Sequence, residues 1–402
     1  MNILLTSLQV PGAASGVRVH YERLAALLRA QGHQVTVVTL NDLRPWISRV
    51  VGIVRHALTL LPGRLGERVA LEVSDVVKIY FAIDRRQHYD VVNAQDVSSG
   101  WAARLALRDR VPVVVTGHHN GDPAEEIIRQ QRLGGLTAIF LRRWYGLLFS
   151  RSRYFMAVSN SVLRYVAPLL PADTLRRVVY NGLDFQQFSQ LQPSVGLRQR
   201  FPGRHIILNI GHLEARKNQH YLLGVAKALR CCRQDFVIGL LGKGPDEASL
   251  RAQIIADDLA EFVVLLGYHT NVAPWLQEAD LYLHTALSES FGLVLIEAIA
   301  AGVPTLAFAL DGTSEVLAAT PDALLDQTAP PEALAYHLHT LLDDAPALQV
   351  LHTQQHDFAA AQFSASALTA NSMAFFEVAR QHALGREVAP VAVPRPTANQ
   401  MQ

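Results

Sequence analysis

Residues 288–308 read SESFGLVLIEAIAAGVPTLAF, and this stretch decides the fold. The mainly apolar residues 279–286 before it and 303–309 at its end have the composition of buried strands, and the segment between them has the apolar periodicity of a helix. Gly292 begins that helix and Gly302 ends it. A strand, a loop, a helix and a second strand form a βαβ unit, which predicts a parallel sheet.

The same alternation of strand and helix recurs along the chain. A first series begins with the apolar run at 2–8, continues with a helical segment at 21–33 and reaches a β-branched run at 35–40. A second series starts near residue 205 and includes the stretch quoted above. Two successive series predict an α/β protein with two doubly wound, Rossmann-like domains.

The composition of the connecting segments indicates where these domains end. A stretch rich in Gln, Ser and Pro follows residue 185, which predicts a first domain over 1–185 and a second over 186–360. Residues 361–385 have a helical pattern of apolar side chains. Residues 386–402 contain three prolines and no periodicity, which predicts a flexible tail.

The overall composition limits the classes of protein to which the chain can belong. Of its 402 residues, 50% are hydrophobic and 18% are charged, which is enough to bury more than one core and argues against intrinsic disorder. The two cysteines, Cys231 and Cys232, are adjacent, which argues against a disulfide scaffold and a cysteine-based zinc site. The start lacks the features of a signal peptide, and no apolar run reaches the roughly 18 residues of a membrane span. We therefore expect a cytoplasmic protein.

The helix in the opening stretch predicts an anion site. A helix that begins at Gly292 directs the N–H groups of its first turn, around Gly292 and Leu293, beyond the strand ends, where they can bind an anion. Glu297 lies about one and a half turns inside, within reach of a neighbouring pair of hydroxyl groups. A diphosphate at the amides and a ribose at Glu297 would fit. From residue types alone, an ordinary buried helix with two incidental glutamates, Glu289 and Glu297, is an equal alternative.

The spacing of the two glutamates resembles the E-x7-E motif of the retaining, GT-B fold glycosyltransferases of family 4, which use nucleotide sugars. Six further segments, in that family's order, extend the resemblance over nearly the whole chain. They are Ser15-Gly16 with His20, YDVVNAQD (89–96), VVVTGHH (113–119), VVYNGLDFQQF (178–188), GHLEARKNQHYLL (211–223) and DGTSEVL (311–317). The resemblance implies two Rossmann-like domains that face each other across a cleft, with the helix at 361–385 returning to the first domain.

The resemblance also implies roles for residues of the second domain, which would hold the donor. Glu297 would bind the ribose of the nucleotide, Glu289 would contact hydroxyl groups of the donor sugar, and Lys217 would neutralise the diphosphate as it departs. The amides at Gly292 and Leu293 would complete the diphosphate site. Without the motif, Lys217 would be interpreted as a solvated lysine at the start of a helix.

In the first domain the resemblance implies two further contacts with the donor. Gly16 would let the backbone approach the phosphate closely because it lacks a Cβ. His118 corresponds to the histidine that contacts the donor sugar, and the adjacent His119 is the alternative by one position. By residue type alone, Gly16 fits a plain tight turn and His118 fits a structural histidine.

Several positions depart from the family's pattern, including Thr285-Ala286, which stand where the family usually has Pro-Ser. His212 stands where the family has arginine, and Asn93 stands where it usually has histidine. A neutral imidazole at His212 cannot fully replace a guanidinium at the diphosphate. His212 remains in the predicted donor site, but it favours the alternative of a catalytically silent nucleotide-sugar-binding protein with the same fold.

Other classes of enzyme also consist of doubly wound domains. A GT-B sugar-nucleotide epimerase is a further alternative. A nicotinamide-dependent dehydrogenase is disfavoured because no G-x-G-x-x-G motif follows the first strand.

The resemblance implies retention of anomeric configuration with neither a cofactor nor a metal ion. In the mechanism usually proposed for the family, the leaving phosphate itself takes the proton of the acceptor, so no carboxylate pair of the hydrolase type is needed. Lys217 and the helix amides would do the work of a cation. The only co-substrate expected is therefore a nucleotide-diphosphate sugar.

The charge of the chain is unevenly distributed. The net charge is only +1, which gives no indication of a nucleic-acid partner. Residues 1–184 contain 23 Lys and Arg against 14 Asp and Glu, whereas residues 185–402 contain 13 against 21. In the resembled family the first domain binds the acceptor, so its excess of positive charge predicts an acceptor that is anionic, lipid-linked or part of a growing glycan.

Two basic segments of the first domain suggest contact with a membrane surface. Residues 43–68 and 129–153 mix arginines with Trp and aliphatic residues, a composition typical of helices that lie at a membrane interface. The alternative is that each segment packs its apolar face on the core and leaves its arginines in water. The first interpretation predicts a peripheral protein at the inner face of the membrane.

Overall fold

The computed structural model describes residues 1–10, 15–43, 45–59, 63–119, 121–190 and 192–386. They form two compact units, of which the first contains Met1–Tyr180 together with the chain from Leu368 onward, and the second contains Asn181–Ala367. The tail predicted from residue 386 lies, from residue 387 on, outside the described residues. In the described part of the chain, no helix combines the length and the apolar character needed to cross a bilayer.

The first unit alternates strands and helices from its first residues. Its elements up to Val178 are β1 (Asn2–Thr6), α1 (Gly16–Ala30), β2 (Gln34–Val38), α2 (Pro45–Thr59), α3 (Gly63–Ala82), β3 (Val91–Ala94), α4 (Val97–Leu107), β4 (Val113–Gly117), α5 (Pro123–Gln130), α6 (Gly135–Phe149), β5 (Tyr154–Ala157), α7 (Asn160–Val166) and β6 (Leu175–Val178). All strand pairs are parallel, in the order β2-β1-β3-β4-β5-β6. The order reverses between β1 and β3, which makes the sheet doubly wound.

The second unit repeats this architecture. Its elements, followed by the last helix of the chain, are α8 (Phe185–Phe188), α9 (Leu197–Arg200), β7 (His205–Ile210), α10 (Gln219–Leu229), β8 (Phe236–Leu241), α11 (Glu247–Ala256), β9 (Val263–Gly267), α12 (Ala273–Leu276), β10 (Leu281–His284), α13 (Leu293–Ala300), β11 (Thr305–Phe308), α14 (Asp311–Val316), β12 (Leu324–Leu325), α15 (Pro331–Leu341), α16 (Ala345–Gln362) and α17 (Ala365–Ala383). Three single turns of 3-10 helix lie at Ala167–Leu169, Ala215–Lys217 and Pro321–Ala323. The sheet is again parallel, in the order β12-β11-β10-β7-β8-β9. The α/β class and the two doubly wound sheets predicted from the sequence are confirmed.

The helical pattern at 361–385 covers the end of one helix and the whole of another. α16 is an 18-residue helix that the sequence analysis did not predict, and the Asp344 side chain accepts a hydrogen bond from the Ala347 amide to cap its start. The break follows at Phe363, where Leu183 donates its N–H to the Phe363 carbonyl and Ala365 donates to the Leu183 carbonyl. These bonds replace the helical ones and separate α16 from α17.

The last helix belongs to the core of the first unit. Leu368, Phe375 and Phe376 of α17 are at most 2% exposed and pack in the same cluster as Ile3 of β1 and Val114 of β4. Gln31, after α1, also donates a hydrogen bond to the Thr369 hydroxyl. The apolar pattern that predicted this helix therefore reflects burial against the first sheet.

Candidate functional site

The order of the second sheet brings the loops after β7 and β10 together. These strands are neighbours at the point where the order reverses, with Leu281 opposite Ile207, and ligands of open α/β sheets bind beyond the strand ends at such points. The Leu287 amide donates to the Arg216 carbonyl, and the Arg216 guanidinium donates to the Ser288 carbonyl. The two loops are therefore fixed to each other.

Within these joined loops, Lys217 and Glu289 form a nearly buried ion pair. The Lys217 Nζ lies 2.6 Å from the Glu289 Oε2, and the two side chains are 14% and 13% exposed. Burial alone would raise the pKa of the Glu289 carboxyl, but Lys217 and His284 hold it well below its usual range. Glu289 is therefore a carboxylate near neutral pH, and it holds the ammonium group of Lys217 at the strand ends.

Two residues of β10 stabilise the position of Glu289: His284 contacts it directly, and Tyr282 contacts His284. Neither was predicted from the sequence as a site residue. The His284 Nε2 lies 3.3 Å from the Glu289 Oε2, and its Nδ1 lies 3.0 Å from the Tyr282 hydroxyl, which also contacts the Ile210 carbonyl. Burial lowers the pKa of His284. All four residues of β10 are buried, so the sequence pattern did not distinguish a polar supporting residue from the core.

The predicted helix start lies one residue further along than expected. α13 begins at Leu293, and Gly292 caps it with a φ of +95°, where a Cβ would overlap the Leu295 side chain. Glu297 is buried on this helix, at 9% exposure. After the effect of burial, the carboxylates of Glu289 and Glu297 both raise the pKa of the Tyr282 hydroxyl. Both glutamates of the motif therefore act on the same region of β10.

Glycines bring two more loops against this site. A Cβ at Gly242 would overlap the Gly211 carbonyl oxygen, so the turn after β8 approaches the loop of Lys217 backbone to backbone. A Cβ at Gly312 would lie 2.5 Å from the Glu289 carbonyl oxygen, so the start of α14 touches the loop of Glu289 in the same way. The site is thus enclosed by main chain that tolerates no side chain at these positions.

His212 lies at the edge of this arrangement. Its side chain is 42% exposed, and its Nδ1 lies 3.5 Å from the Glu214 Oε2. Glu214 also pairs with Arg216 at 2.8 Å. The same loop therefore carries a guanidinium group at Arg216, which is paired with Glu214.

The first unit has a separate polar cluster at the ends of its strands. His118 directly follows β4, and its Nε2 lies 3.0 Å from the Oε1 of Gln95, which directly follows β3. The His118 ring meets the His20 ring of α1 edge to face, with centroids 4.8 Å apart. Burial, followed by His20 and His119, holds the pKa of His118 well below its usual range. Burial also lowers the pKa of His119 to about 4.

Gly16 is the first residue of α1. Ser15 caps this helix by accepting a hydrogen bond from the Arg18 amide at 3.2 Å. Gly16 is exposed and is followed on the same helix by His20. Residues 11–14, which complete the predicted glycine loop, lie outside the described residues.

The residues that the structure describes contain no group of three or more His, Cys, Asp or Glu side chains that could hold a metal ion. The second unit provides a nearly buried ammonium group, two carboxylates that are at most 13% exposed, and the start of a helix. Such a set can bind a polyanion and hydroxyl groups together.

Comparison with protein families identifies both halves of the chain. The model described as "Glycosyltransferase Family 4" matches residues 14–187, and the model described as "Glycosyl transferases group 1" matches residues 198–357. Together they cover more than three quarters of the chain. The second match includes every candidate residue of the second unit.

Individual proteins agree with these family matches. The phosphatidyl-myo-inositol mannosyltransferase of Mycobacterium leprae is 28% identical over 321 residues, which cover 77% of this chain and 78% of that protein. The lipopolysaccharide core biosynthesis mannosyltransferase LpsB of Rhizobium meliloti is 26% identical over 43% of this chain and 50% of its own length.

A solved structure also has this fold. The structure of Anabaena HepE in complex with UDP and glucose superposes with a TM-score of 0.68 at 19% identity, covering 94% of this chain and 100% of that one. The chain is therefore a glycosyltransferase of GT-B fold and belongs to the group 1, family 4 type.

Proposed function

We propose that the protein transfers a sugar from a nucleoside diphosphate sugar, with retention of anomeric configuration, to an acceptor at an anionic lipid surface. The nearly buried Lys217–Glu289 pair beside the start of α13 carries the donor part of this proposal. A shielded ammonium group next to the amides of a helix start suits a diphosphate, and flanking carboxylates suit the hydroxyl groups of the sugar and ribose.

Each residue of the second unit has a proposed task. Lys217 and the amides at Gly292 and Leu293 bind the diphosphate, Glu289 accepts hydrogen bonds from sugar hydroxyls, and Glu297 accepts those of the ribose. When the diphosphate arrives, its charge competes with Glu289 for Lys217. The carboxylate is then released toward the sugar, still beside His284.

The reaction exchanges two bonds at the anomeric carbon. The bond to the diphosphate oxygen breaks, the bond to the acceptor oxygen forms on the same face, and the departing phosphate takes the acceptor's proton. Negative charge grows on the leaving group during this step, so the fixed positive charge of Lys217 binds the transition state more tightly than the ground state. No protein base or metal ion is required in this scheme.

Three further residues complete the proposed donor site. His118 contacts the sugar, and Gly16 brings the start of α1 to the phosphate. His212 lies on the same loop as Lys217, and Arg216 of that loop adds a guanidinium group, paired with Glu214, to the ammonium group of Lys217.

Turnover with a panel of radiolabelled UDP-, GDP- and ADP-sugars tests the donor part. Thermal-shift measurements first identify the nucleotide that binds, and Lys217→Met is then expected to lower kcat by about a hundredfold or more. Lys227→Met is the matched control, because Lys227 also pairs with a carboxylate, that of Asp257, outside the site. The absence of both sugar transfer and slow donor hydrolysis with every donor tested would contradict the proposal. That result would favour a silent sugar-nucleotide-binding protein.

The acceptor part of the proposal rests on exposed apolar side chains in basic surroundings. On α2, Ile47 and Val51 are buried, whereas Val50, Ile53 and Val54 are 50%, 70% and 44% exposed. Three or four residues separate neighbours on one helix face, so the exposed three form a stripe.

α6 has a similar stripe. Leu136, Ile139 and Leu147 are 69%, 46% and 40% exposed, next to the exposed Arg142 and Arg143. No acidic residue occurs between 43 and 66 or between 127 and 172. Arg142 pairs with Glu125 of α5 at 2.5 Å. Apolar stripes beside exposed arginines such as Arg55 and Arg143 suit the interface of an anionic bilayer. The names of two relatives, which act on phosphatidyl-myo-inositol and in lipopolysaccharide core biosynthesis, agree with an acceptor of this kind.

Flotation with phospholipid vesicles tests the acceptor part. The protein is expected to float with vesicles that contain anionic lipid, and Ile53→Ser combined with Leu136→Ser is expected to reduce the bound fraction several-fold. Ile255→Ser is the matched control, because Ile255 is 71% exposed on α11 of the acidic second unit. Equal recovery with neutral and anionic vesicles would contradict the proposal.

A further inference from the structure

Three buried amide and hydroxyl groups form a chain of hydrogen bonds behind His118. Asn93 Nδ2 lies 2.8 Å from the Thr116 Oγ1, Gln95 Nε2 lies 2.7 Å from the Asn93 Oδ1, and Gln95 Oε1 lies 3.0 Å from the His118 Nε2. Asn93, Gln95 and Thr116 are at most 2% exposed. Nothing in the family motifs quoted above gives Gln95 a role.

A main-chain carbonyl determines which groups donate and which accept in this series of hydrogen bonds. Asn93 Nδ2 also faces the Val114 carbonyl oxygen, which can only accept a hydrogen bond, so this end of the Asn93 amide is the donor. The Asn93 Oδ1 must then accept from the Gln95 Nε2, which leaves the Gln95 Oε1 as an acceptor toward His118. Because the Gln95 Oε1 can only accept, the His118 Nε2 must carry a proton.

The neutral form of His118 carries a proton on only one of its two ring nitrogens. Its burial and the neighbouring His20 and His119 disfavour the charged imidazolium, so the ring is neutral near pH 7. A neutral imidazole that is protonated at Nε2 has a lone pair at Nδ1. Among the residues that the structure describes, no hydrogen bond reaches the His118 Nδ1, and the side chain is partly exposed.

We infer that Gln95 is a positioning residue that holds His118 as the Nε2–H tautomer, so that the His118 Nδ1 accepts a hydrogen bond from a hydroxyl group of the bound sugar. The identity of the ligand as a sugar rests on the proposed function, whereas the tautomer does not. The departure at Asn93 has a reason in this arrangement, because an amide can transmit the polarity of the Val114 carbonyl to Gln95.

This arrangement makes His118 selective for groups that donate. A sugar hydroxyl can donate a hydrogen bond to the lone pair of Nδ1. Fluorine or an ether oxygen at the same place has no proton to donate and would face that lone pair with its own electrons. Replacing that one hydroxyl by fluorine is expected to lower kcat/KM about tenfold, the effect of one lost hydrogen bond. In Gln95→Leu the ring can place its proton on either nitrogen, so this discrimination is expected to shrink.

Nitrogen-15 NMR of histidine-labelled protein, without any donor, tests the tautomer directly. His118→Asn identifies the His118 signals by their loss. In the wild-type protein we expect a protonated Nε2 and an unprotonated Nδ1, and in Gln95→Leu we expect a mixture of tautomers.

Gln253→Leu is the matched control, because the Gln253 Oε1 lies 2.7 Å from the His220 Nδ1 on the second unit. This change should alter only the His220 signals. A proton on the His118 Nδ1 in the wild-type protein, or an unchanged tautomer in Gln95→Leu, would overturn the inference. With the His118 signals assigned by His118→Asn, the wild-type spectrum is decisive even if Gln95→Leu does not fold. The result is independent of the proposed transfer because no sugar nucleotide is present.

Discussion

At the scale of single residues, the Lys217–Glu289 pair should be strongly coupled. Both side chains are nearly buried, so Glu289→Gln or Lys217→Met leaves one charge without its partner. Each change is expected to lower the free energy of unfolding by about 3 kcal/mol at pH 7. The double variant should lose clearly less than the sum, because neither charge remains.

Urea unfolding of the four proteins measures this coupling. The Lys227–Asp257 pair provides the comparison, since its lysine side chain is 56% exposed and solvent screens the interaction. We expect a much smaller coupling there. Additive losses at Lys217 and Glu289 would show that the ion pair does not exist in solution.

The same pair predicts how stability depends on pH. The pKa of Glu289 is lower in the folded protein than in the unfolded chain, so its contribution is fully present above the unfolded value of about 4.3 and is lost as the pH falls toward the folded value. The stability difference between wild type and Glu289→Gln should be constant above about pH 5.5 and shrink below about pH 4. A series of urea titrations measures it, and a difference that stays constant down to pH 3 would contradict the assignment.

At the scale of the element, helix α13 needs glycine at both ends for different reasons. Gly292 and Gly302 have φ values of +95° and +90°, but a Cβ would overlap the Leu295 side chain only at Gly292, whereas space is open at Gly302. Gly302→Ala is expected to lower the free energy of unfolding by about 1 kcal/mol through backbone strain alone.

Gly292→Ala adds a steric overlap at the predicted diphosphate amides. We expect a larger loss of stability than in Gly302→Ala, together with at least a tenfold weaker affinity for the nucleoside diphosphate of the preferred donor, because the first turn must shift. Isothermal titration calorimetry measures this affinity. Equal effects of the two substitutions would mean that the start of α13 does not contact the diphosphate.

Secondary structure near this site could be predicted because its signals are local. The apolar strands and the glycine at residue 292 determine β10, α13 and β11 from neighbouring residues. α16 was missed because only two of its residues, Gln355 and Ala359, are fully buried, so it has almost no apolar stripe. Gln95 was missed because its partner His118 follows a different strand and is brought to it by the pairing of β3 with β4, which no local pattern encodes. His284 was missed because all four residues of β10 are buried, so its polar role resembles an ordinary core position.

At the scale of the whole molecule, the uneven charge predicts where membrane lipids bind. The exposed Arg55 and Arg143 flank the apolar stripes of α2 and α6, and each arginine near an anionic surface contributes about 1 kcal/mol. Arg55→Gln combined with Arg143→Gln is therefore expected to weaken binding to anionic vesicles by at least tenfold, with little effect on neutral vesicles. Sedimentation with sucrose-loaded vesicles measures the affinity.

The position of an arginine on the surface, rather than the net charge of the protein, should determine how strongly its removal weakens binding to anionic vesicles. Arg200→Gln also removes one exposed positive charge, but from α9 of the acidic second unit, and it should leave vesicle binding unchanged. Raising the ionic strength from about 0.01 M to about 0.15 M shortens the screening length from about 30 Å to about 8 Å, so wild-type binding should weaken and approach that of the double variant. If Arg200→Gln weakens binding as much as Arg55→Gln alone, the attraction comes from total charge, and α2 and α6 do not form the contact surface.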